Sequence, residues 1–268
     1  KQYVDEVSYS FKTNPIVGKL LQQETTCLLS IHTPSSLKEI NDTHRILFFL
    51  QATDEDELKF LLEKGITRFV VDNCSDYNTL IHSINKQSKH IQLFLRMKLK
   101  EHTIHTGKHF VFGLSAEEVN TMIAEQANNP LISSLGIHFH RKTQNSSEWD
   151  IQEELQQSLT PQTLQMIDWL NIGGGIPIEY QNIHANPQLI LEKISWLRKW
   201  LSTYQISLMA EPGRFIAGPC IELRTMIKAI YANNIIVDAS VYNAAMDTFI
   251  ANVRLKVKEE VQQDQGKP

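Results

Sequence analysis

Short apolar runs alternate with amphipathic helical patterns along most of the chain. Strands are favoured where β-branched, aromatic and leucine residues cluster between turn signals. On that basis we predict eight β-strands, at residues 7–11, 26–31, 45–50, 68–71, 91–97, 135–140, 169–172 and 207–210. Strict alternation of strands with helices predicts parallel strands joined by helical crossovers.

The helices between these strands have recognisable ends. Residues 54–64 place leucines on one helical face, and Gly65 follows as a common helix-ending residue. Ser115 and Glu118 have the spacing of a capping box, in which two side chains satisfy the first free backbone donors. Asn186 precedes a proline, which suits the cap and first turn of another helix. These signals strengthen the alternating pattern.

Eight strand–helix units predict a closed (β/α)8 barrel of the TIM type. A doubly wound open sheet is the alternative, but it does not need eight units. The pattern changes after Glu211, where residues 221–230, 235–237 and 249–257 resemble strands without long helices between them. We therefore predict a barrel over residues 1–215 and an incomplete, β-rich C-terminal domain over residues 216–268.

Composition narrows the class of protein. The 268 residues carry 26 basic and 30 acidic side chains, and this net charge of −4 argues against electrostatic binding to nucleic acid or to an anionic membrane. At 42% hydrophobic residues the chain can fill a core, yet no run is long enough to cross a bilayer. Three scattered cysteines fit buried thiols, Cys220 among them, and a cytoplasmic location. The missing initiator Met and the polar end suggest part of a longer product.

Chemically versatile residues follow several predicted strands. In a (β/α)8 barrel the active site lies at the carboxyl ends of the strands, and phosphate is often held after strands seven and eight. Here these ends carry Lys12, Arg96, His140, the triplet Gly173, Gly174 and Gly175, and Glu211 with Gly213 and Arg214. A lysine, an arginine, a histidine, a glycine triplet and a glutamate are therefore expected to converge at this end of the barrel.

Each of these residues also has an ordinary structural explanation. Three consecutive glycines allow close approach of backbone N–H groups to an anion, but they also make a flexible turn. Lys12 would have a lowered pKa if desolvated, as covalent chemistry with a carbonyl requires, yet most lysines at strand ends extend into solvent. Glu211 could keep a pyridine nitrogen protonated, or it could form an ion pair with Arg214.

Three motifs together resemble one enzyme family. Residues 9–15 (YSFKTNP) resemble the Tyr-Ala-Val-Lys-Ala/Cys-Asn motif around the cofactor lysine of the fold-type III pyridoxal-phosphate decarboxylases, the ornithine/diaminopimelate/arginine decarboxylase family. Residues 171–177 (NIGGGIP) are similar to its Asp-Ile-Gly-Gly-Gly-Phe-Pro phosphate loop, and residues 210–215 (AEPGRF) nearly match its Glu-Pro-Gly-Arg motif. The likeness covers residues 12–217 and continues weakly to about residue 256.

The resemblance implies roles for these residues. Lys12 would attach pyridoxal 5'-phosphate covalently, and Glu211 would hydrogen-bond the pyridine nitrogen. His140 would stack on the cofactor ring, and Arg96 matches an arginine at the end of its strand. The phosphate would be held by Gly173, Gly174, Gly175, Gly213 and Arg214. The catalytic residues implied are thus Lys12, His140 and Glu211.

The chain also departs from the family pattern. After the histidine the family usually has Val-Gly-Ser, whereas this chain has Arg141, Lys142 and Thr143, of which only Thr143 could replace the serine hydroxyl. Thr33 occupies a position where the family usually has an acidic residue. The family's second-domain cysteine, aspartate and tyrosine, which complete the neighbouring subunit's site, have no counterpart in this sequence.

The resemblance implies a carboxy-lyase that decarboxylates a basic amino acid such as ornithine or lysine, in polyamine or amino-acid metabolism, as a homodimer with shared active sites. Diaminopimelate is the nearest competing substrate, and a racemase of the same fold is less favoured by the Glu-Pro-Gly-Arg glutamate. A non-catalytic homologue that binds and regulates a relative is the alternative from another class. No metal is expected, because His102, His105 and His109 lack completing ligands.

Overall fold

Eight parallel strands close into a barrel in the computed structural model, which describes residues 2–99, 112–141, 144, 148–232 and 234–260. Each strand pairs with its sequence neighbours, and β1 pairs with β8 to complete the circle. The strands are β1 (Glu6–Ser10), β2 (Leu28–Ile31), β3 (Ile46–Leu50), β4 (Arg68–Val71), β5 (Ile91–Arg96), β6 (Ile132–His138), β7 (Trp169–Asn171) and β8 (Ser207–Ala210). The predicted (β/α)8 barrel is confirmed.

Helices cover the outside of the barrel. They are α1 (Pro15–Glu24), α2 (Glu55–Glu63), α3 (Cys74–Gln87), α4 (Ala116–Gln126), α5 (Ile151–Ser158), α6 (Pro161–Met166), α7 (Pro187–Ser202) and α8 (Arg214–Ala217). The predicted capping box is present, because Ser115 and Glu118 bond each other's backbone N–H groups. Asp54, for which no cap was predicted, accepts a hydrogen bond from the N–H of Glu57 at 2.8 Å. Asn186 likewise caps α7.

Alternate side chains of each strand point to two different cores. Leu47 and Phe49 belong to a small cluster that also includes Leu28, Val70, Phe94 and Met209, each from a different strand, and this cluster fills the barrel interior. The intervening residues Ile46, Phe48 and Leu50 pack outward in the larger cluster beneath the helices. Strands buried on both faces explain the nearly continuous apolar runs in the sequence.

Asp5 joins the first and last strands by hydrogen bonds where the barrel closes. Its Oδ2 accepts a hydrogen bond from the N–H of Leu208 at 2.8 Å, and its own N–H donates to the carbonyl of Leu208 at 2.8 Å. Arg198 of α7 pairs with the other oxygen of the Asp5 carboxylate. This contact aligns β1 with β8, whose carboxyl ends carry two of the candidate site residues.

The segment after the barrel differs in part from the prediction. Strands β9 (Ile227–Tyr231) and β10 (Asn234–Val237) form a two-stranded antiparallel sheet, so the first predicted strand is shorter than residues 221–230. The third predicted strand, at residues 249–257, is wrong. Short helices α9 (Val241–Ala244) and α10 (Asp247–Ile250) occupy this region. Beyond α10, the carbonyl of Arg254 accepts a hydrogen bond from the N–H of Gln181 in the loop after β7, and the described residues there form no strand. The domain boundary at residues 215 and 216 stays a prediction.

Two expectations about the chain as a whole can be compared with the structure. Within the described ranges, no helix has the length and apolar character required to cross a membrane. All three cysteines are described and are free thiols. Cys27 is buried as expected, but Cys74 and Cys220 are exposed, so the expectation of a buried thiol at Cys220 is wrong.

Candidate active site

The predicted site residues follow the carboxyl ends of different strands. Lys12 lies in a 3-10 turn (Phe11–Thr13) directly after β1, and Arg96 is the last residue of β5. His140 lies two residues beyond β6, and Glu211 comes immediately after β8. Because β1 and β8 are neighbours in the barrel, Lys12 and Glu211 leave adjacent strands at the same end. The glycine triplet follows β7 at that end too.

Glu211 is the buried acid of this group. Its Oε1 accepts a hydrogen bond from the side-chain amide of Asn171 at 2.8 Å, and its Oε2 lies 3.6 Å from Nε2 of His138. Burial alone would raise the pKa of Glu211, but His138 and the Asn171 donor outweigh it and lower the pKa to about 2. The carboxylate is therefore ionised at neutral pH although it is almost fully buried.

His138 is a site residue to which the sequence analysis gave no role. Its ring is buried and meets Phe49 edge-on at 5.2 Å between centroids. Neither ring nitrogen has a hydrogen-bond partner among the described residues, and the 3.6 Å approach to Glu211 is too long for one. Burial lowers the pKa of His138 against the opposing effect of Glu211, so at neutral pH the carboxylate carries the charge of this pair.

His140 is held by the glycine loop. Its Nδ1 accepts a hydrogen bond from the N–H of Gly174 at 3.1 Å, which leaves the proton of the neutral ring on Nε2. Burial and the neighbouring His138 lower the pKa of His140 to about 3. The residue as a whole is exposed at the barrel mouth, so the bond from Gly174 is the firmer reason for its neutral state. A neutral, fixed imidazole is suited to stacking on a planar ring.

The three glycines are required for three different reasons. Gly173 has a φ of +62°, and a Cβ there would overlap the carbonyl oxygen of Phe139. At Gly174 a Cβ would lie 2.8 Å from the carbonyl oxygen of Glu211. The N–H groups of both are already bonded, to Asn171 and His140. Among the described residues none bonds the N–H of Gly175, so this is the amide that remains for an anion.

Arg214 does not form the ion pair with Glu211 that was left open by the sequence. Its Nη2 lies 2.8 Å from Oδ2 of Asp247, and its guanidinium lies 6.0 Å from the ring centroid of Tyr180. Its Nη1 is buried and has no hydrogen-bond partner within the described part of the chain. Such an orphaned cationic donor suits a phosphate oxygen. Gly213, just before Arg214, is packed against Thr13 beside Lys12.

Lys12 is exposed at the open mouth of the barrel, but the residues around its side chain shield it partly from solvent. Desolvation lowers the pKa of Lys12, with Glu211 opposing this and Arg96 adding to it. Arg96 itself lies 4.0 Å from Asp72, which follows β4, and both side chains are largely buried. A lowered pKa makes the neutral amine of Lys12 easier to form, and the neutral amine is the nucleophile that carbonyl attachment requires. The solvent exposure of the residue keeps this shift modest.

His32 is a second residue that the sequence analysis missed. It follows β2 directly, and its ring lies 4.4 Å from that of Phe49, on which His138 also packs. Burial, with the charge of Lys12 next, lowers the pKa of His32 to about 4. The signal that could have found it is its position, since the residue directly after a barrel strand faces the mouth.

Some predicted residues lie outside the described part of the chain. Thr143 is one of them, as are His102, His105 and His109. Arg141, which replaces the family's valine after the histidine, is buried and pairs with Glu154 of α5 at 2.6 Å. Within the described ranges, no group of three or more His, Cys, Asp or Glu residues is arranged to hold a metal ion.

Comparison with known proteins decides the family. Residues 35–218 match the family described as "Pyridoxal-dependent decarboxylase, pyridoxal binding domain". The chain belongs to this decarboxylase family. The matched range includes Arg96, His140, the glycine loop and Glu211. Lys12 precedes it, so its assignment rests on the YSFKTNP motif and on its place after β1.

Two curated decarboxylases are similar in sequence. The diaminopimelate decarboxylase of Zymomonas mobilis is 24% identical over 196 residues, which are 69% of this chain and 47% of that protein. The 2-[(L-alanin-3-ylcarbamoyl)methyl]-2-hydroxybutanedioate decarboxylase of Staphylococcus aureus is 23% identical over 188 residues, 65% of this chain and 47% of that protein. The chain thus spans about half the length of the curated relatives it matches.

Solved decarboxylases share the fold. Diaminopimelate decarboxylase from Helicobacter pylori, complexed with L-lysine, superimposes with a TM-score of 0.76 at 19% identity, covering 96% of this chain and 69% of that one. Lysine/ornithine decarboxylase from Vibrio vulnificus, complexed with cadaverine, gives 0.77 at 18% identity, covering 97% and 71%. These likenesses confirm the barrel architecture.

The residues present fit the cofactor of this decarboxylase family, pyridoxal phosphate. The phosphate end would find an unpaired amide at Gly175 and an unpaired buried donor on Arg214. The ring end would find an ionised carboxylate in Glu211 and a neutral imidazole in His140. Lys12 would supply the amine. Acceptor, donors and nucleophile are therefore all available at one end of the barrel.

Proposed function

We propose that this chain binds pyridoxal phosphate through Lys12 and contributes the barrel half of a decarboxylase for a basic amino acid. The observation that carries the proposal is the buried, ionised Glu211 on the strand next to that of Lys12. Burying an ionised carboxylate costs free energy unless a positive or hydrogen-bonding partner compensates for it. A protonated pyridine nitrogen would be such a partner.

Bound pyridoxal phosphate supplies an electron sink that stabilises the negative charge left when CO2 departs. The protein side of this chemistry falls to four residues. Glu211 keeps the ring nitrogen protonated, and His140 supports the face of the ring. Lys12 would hold the cofactor through its amine, which when free would be a base at the mouth of the barrel. Arg96, fixed by Asp72, adds positive charge to the same mouth.

Phosphate binding is assigned to the loops after strands seven and eight. Within the described residues, the N–H of Gly175 and Nη1 of Arg214 are two unpaired donors there, and Gly213 allows α8 to begin close to the turn that carries Lys12. Gly173 and Gly174 shape the loop, and Thr143 is proposed as the hydroxyl donor. In this arrangement the glycines matter more for shape than for their own N–H groups.

The substrate is proposed to be ornithine or lysine, with diaminopimelate as the alternative. Among similar structures, one is complexed with L-lysine and another with cadaverine, which is why a basic or diamine-like substrate is favoured. A diamine end needs carboxylates, whereas the zwitterionic end of diaminopimelate also needs a cation. Asp72 and Arg96 together could serve either, so substrate competition must decide.

The oligomeric state is proposed to be a homodimer, in the cytoplasm. Sheet β9–β10 exposes every residue of both strands, including large apolar side chains. A two-stranded sheet without a covered face is only marginally stable in water. Cover from further β-structure or from a second subunit would remove this apolar surface from solvent.

A non-catalytic regulatory homologue remains the second candidate. The observation that favours it is Arg141, which forms an ion pair with Glu154 at the position where the family has the valine of its Val-Gly-Ser segment. Such a protein could retain the cofactor and still lack turnover. Product formation separates the two functions.

The test starts with the cofactor and then moves to the substrate. A visible absorption band with pyridoxal phosphate, bleached by borohydride and missing in Lys12→Ala, is expected. Lys19→Ala is the matched control, because Lys19 is an exposed lysine of α1 that pairs with Glu39 and with none of the candidate site residues. CO2 release is then measured with ornithine, lysine, arginine and diaminopimelate. A band without CO2 release from any substrate would favour the regulatory homologue, and no band at all would refute the proposal.

A further inference from the structure

One amide side chain bridges the two loops that form the proposed cofactor site. Oδ1 of Asn171 accepts a hydrogen bond from the N–H of Gly173 at 2.9 Å, and its Nδ2 donates to Oε1 of Glu211 at 2.8 Å. The backbone adds a third link, from the N–H of Glu211 to the carbonyl of Gly173 at 2.7 Å. Asn171 is fully buried at the end of β7, so solvent cannot replace these bonds.

One amide satisfies both contacts at once. An asparagine presents an acceptor and a donor on one planar group, whereas an ionised aspartate only accepts. An aspartate at position 171 would have to share a proton with buried Glu211, because two adjacent buried carboxylates cannot both remain ionised. This chain has an asparagine where the family motif quoted above begins with aspartate.

The other side of the Glu211 carboxylate accepts no hydrogen bond from a described side chain. The nearest group there is Nε2 of His138, at 3.6 Å, beyond hydrogen-bond distance. Asn171 is thus the side chain that makes a direct hydrogen bond to the Glu211 carboxylate within the described structure. If this donor is removed, burial favours the neutral carboxyl, which lacks the negative charge that keeps the ring nitrogen protonated.

We propose that Asn171 is a positioning residue that orients Glu211 towards the ring nitrogen of pyridoxal phosphate and locks the glycine loop to it. The inference rests on the proposed function. In this proposal the side chain of Asn171 holds the glycine loop near the phosphate and Glu211 near the ring nitrogen in a fixed relative position.

The test compares pyridoxal-phosphate affinity of the whole 268-residue chain and its Asn171→Leu variant, by fluorescence titration from pH 8 down to pH 4. Leucine keeps the shape and removes both bonds. Loss of a hydrogen bond to a charged group corresponds to about tenfold weaker binding. The deficit relative to the unsubstituted chain should widen below about pH 5, because the lost bond raises the pKa of Glu211 from about 2 by roughly 1–2, into that range.

Two further variants keep the result interpretable. Ser30→Ala removes another buried hydrogen bond, from Ser30 to Ser8 at 2.7 Å, and should lower the melting temperature without weakening cofactor binding. Asn171→Asp shares one proton with Glu211 at pH 6 and so regains a donor. Its affinity there should lie nearer to that of the unsubstituted chain than the affinity of Asn171→Leu does, even if the leucine variant folds poorly.

The outcomes separate this inference from the proposed function. If the unsubstituted chain does not bind pyridoxal phosphate, the proposed function fails. If it binds but Asn171→Leu binds equally well, or has the same deficit at every pH, the positioning role of Asn171 is wrong. Weak binding by Ser30→Ala to the same extent would also overturn it, since the loss would then reflect general destabilisation.

Discussion

Substituting Gly173 by alanine should destabilise the barrel more than the same change at Gly65. Both glycines have left-handed backbones, with φ of +62° and +80°. An alanine in that region costs about 1–2 kcal/mol. Backbone strain alone would therefore make the two variants similar.

The surroundings of the two positions differ. A Cβ on Gly65 would have Thr43 Oγ1 at 3.6 Å as its nearest neighbour, which is ordinary contact. A Cβ on Gly173 would lie 3.0 Å from the Cα of His140 and would overlap the carbonyl oxygen of Phe139. These are backbone atoms, which cannot rotate away. Overpacking of this kind adds about 1–3 kcal/mol. The totals are about 2–5 kcal/mol for Gly173→Ala and about 1–2 kcal/mol for Gly65→Ala.

Thermal unfolding followed by circular dichroism measures the difference. For a chain of this size about 1 kcal/mol shifts the melting temperature by roughly 2–4 °C. Gly173→Ala should therefore melt several degrees below Gly65→Ala, and it should also bind pyridoxal phosphate more weakly. Equal melting temperatures for the two variants, or a lower one for Gly65→Ala, would refute the close packing described for the glycine loop.

Three other predictions concern the rest of the barrel. Because burial lowers the pKa of His32 to about 4, the unfolded chain binds more protons than the folded chain between pH 6.5 and pH 4, and stability is lost as the pH falls through that window. His32→Phe should reduce the loss of melting temperature over this pH range, and an unchanged dependence of melting temperature on pH would contradict the prediction. Asp5→Ala breaks the bond to Leu208 that closes the barrel and should cost about 1–3 kcal/mol in urea unfolding, whereas an unaltered midpoint would mean that the closure does not depend on it. Gly213→Ala should displace Thr13 and weaken cofactor binding; adding Thr13→Ala should restore part of it, and the absence of rescue would count against this contact.

The fold was predictable because both faces of each strand are buried, which makes every strand an apolar run. The strand at Ile132–His138 begins earlier than the predicted residue 135, because Ser133 and Ser134 interrupt the apolar run. Ser133 instead bonds the carbonyl of Ile91 across the strands at 2.9 Å. The error at residues 249–257 has a similar origin. Alternating apolar residues favoured a strand there, whereas contacts with the loop after β7, distant in sequence, determine the conformation.

Part of the site was predictable from strand ends and part was not. Lys12, Arg96 and Glu211 follow strands, and the barrel rule brings them together without any structure. The bonds of Asn171 were not predictable, because they depend on the side-chain torsions of two loops. Nor could the sequence reveal that Nδ1 of His140 accepts a hydrogen bond from the N–H of Gly174, so that this amide is not available to phosphate.

Covalent attachment at Lys12 is the central claim, and peptide mapping tests it most directly. The chain is loaded with pyridoxal phosphate, reduced with borohydride, digested and analysed by mass spectrometry. The account predicts one reduced cofactor per chain, on the peptide that contains Lys12. A cofactor that is bound but attached to another lysine, or spread over several surface lysines with Lys12 unmodified, would contradict it.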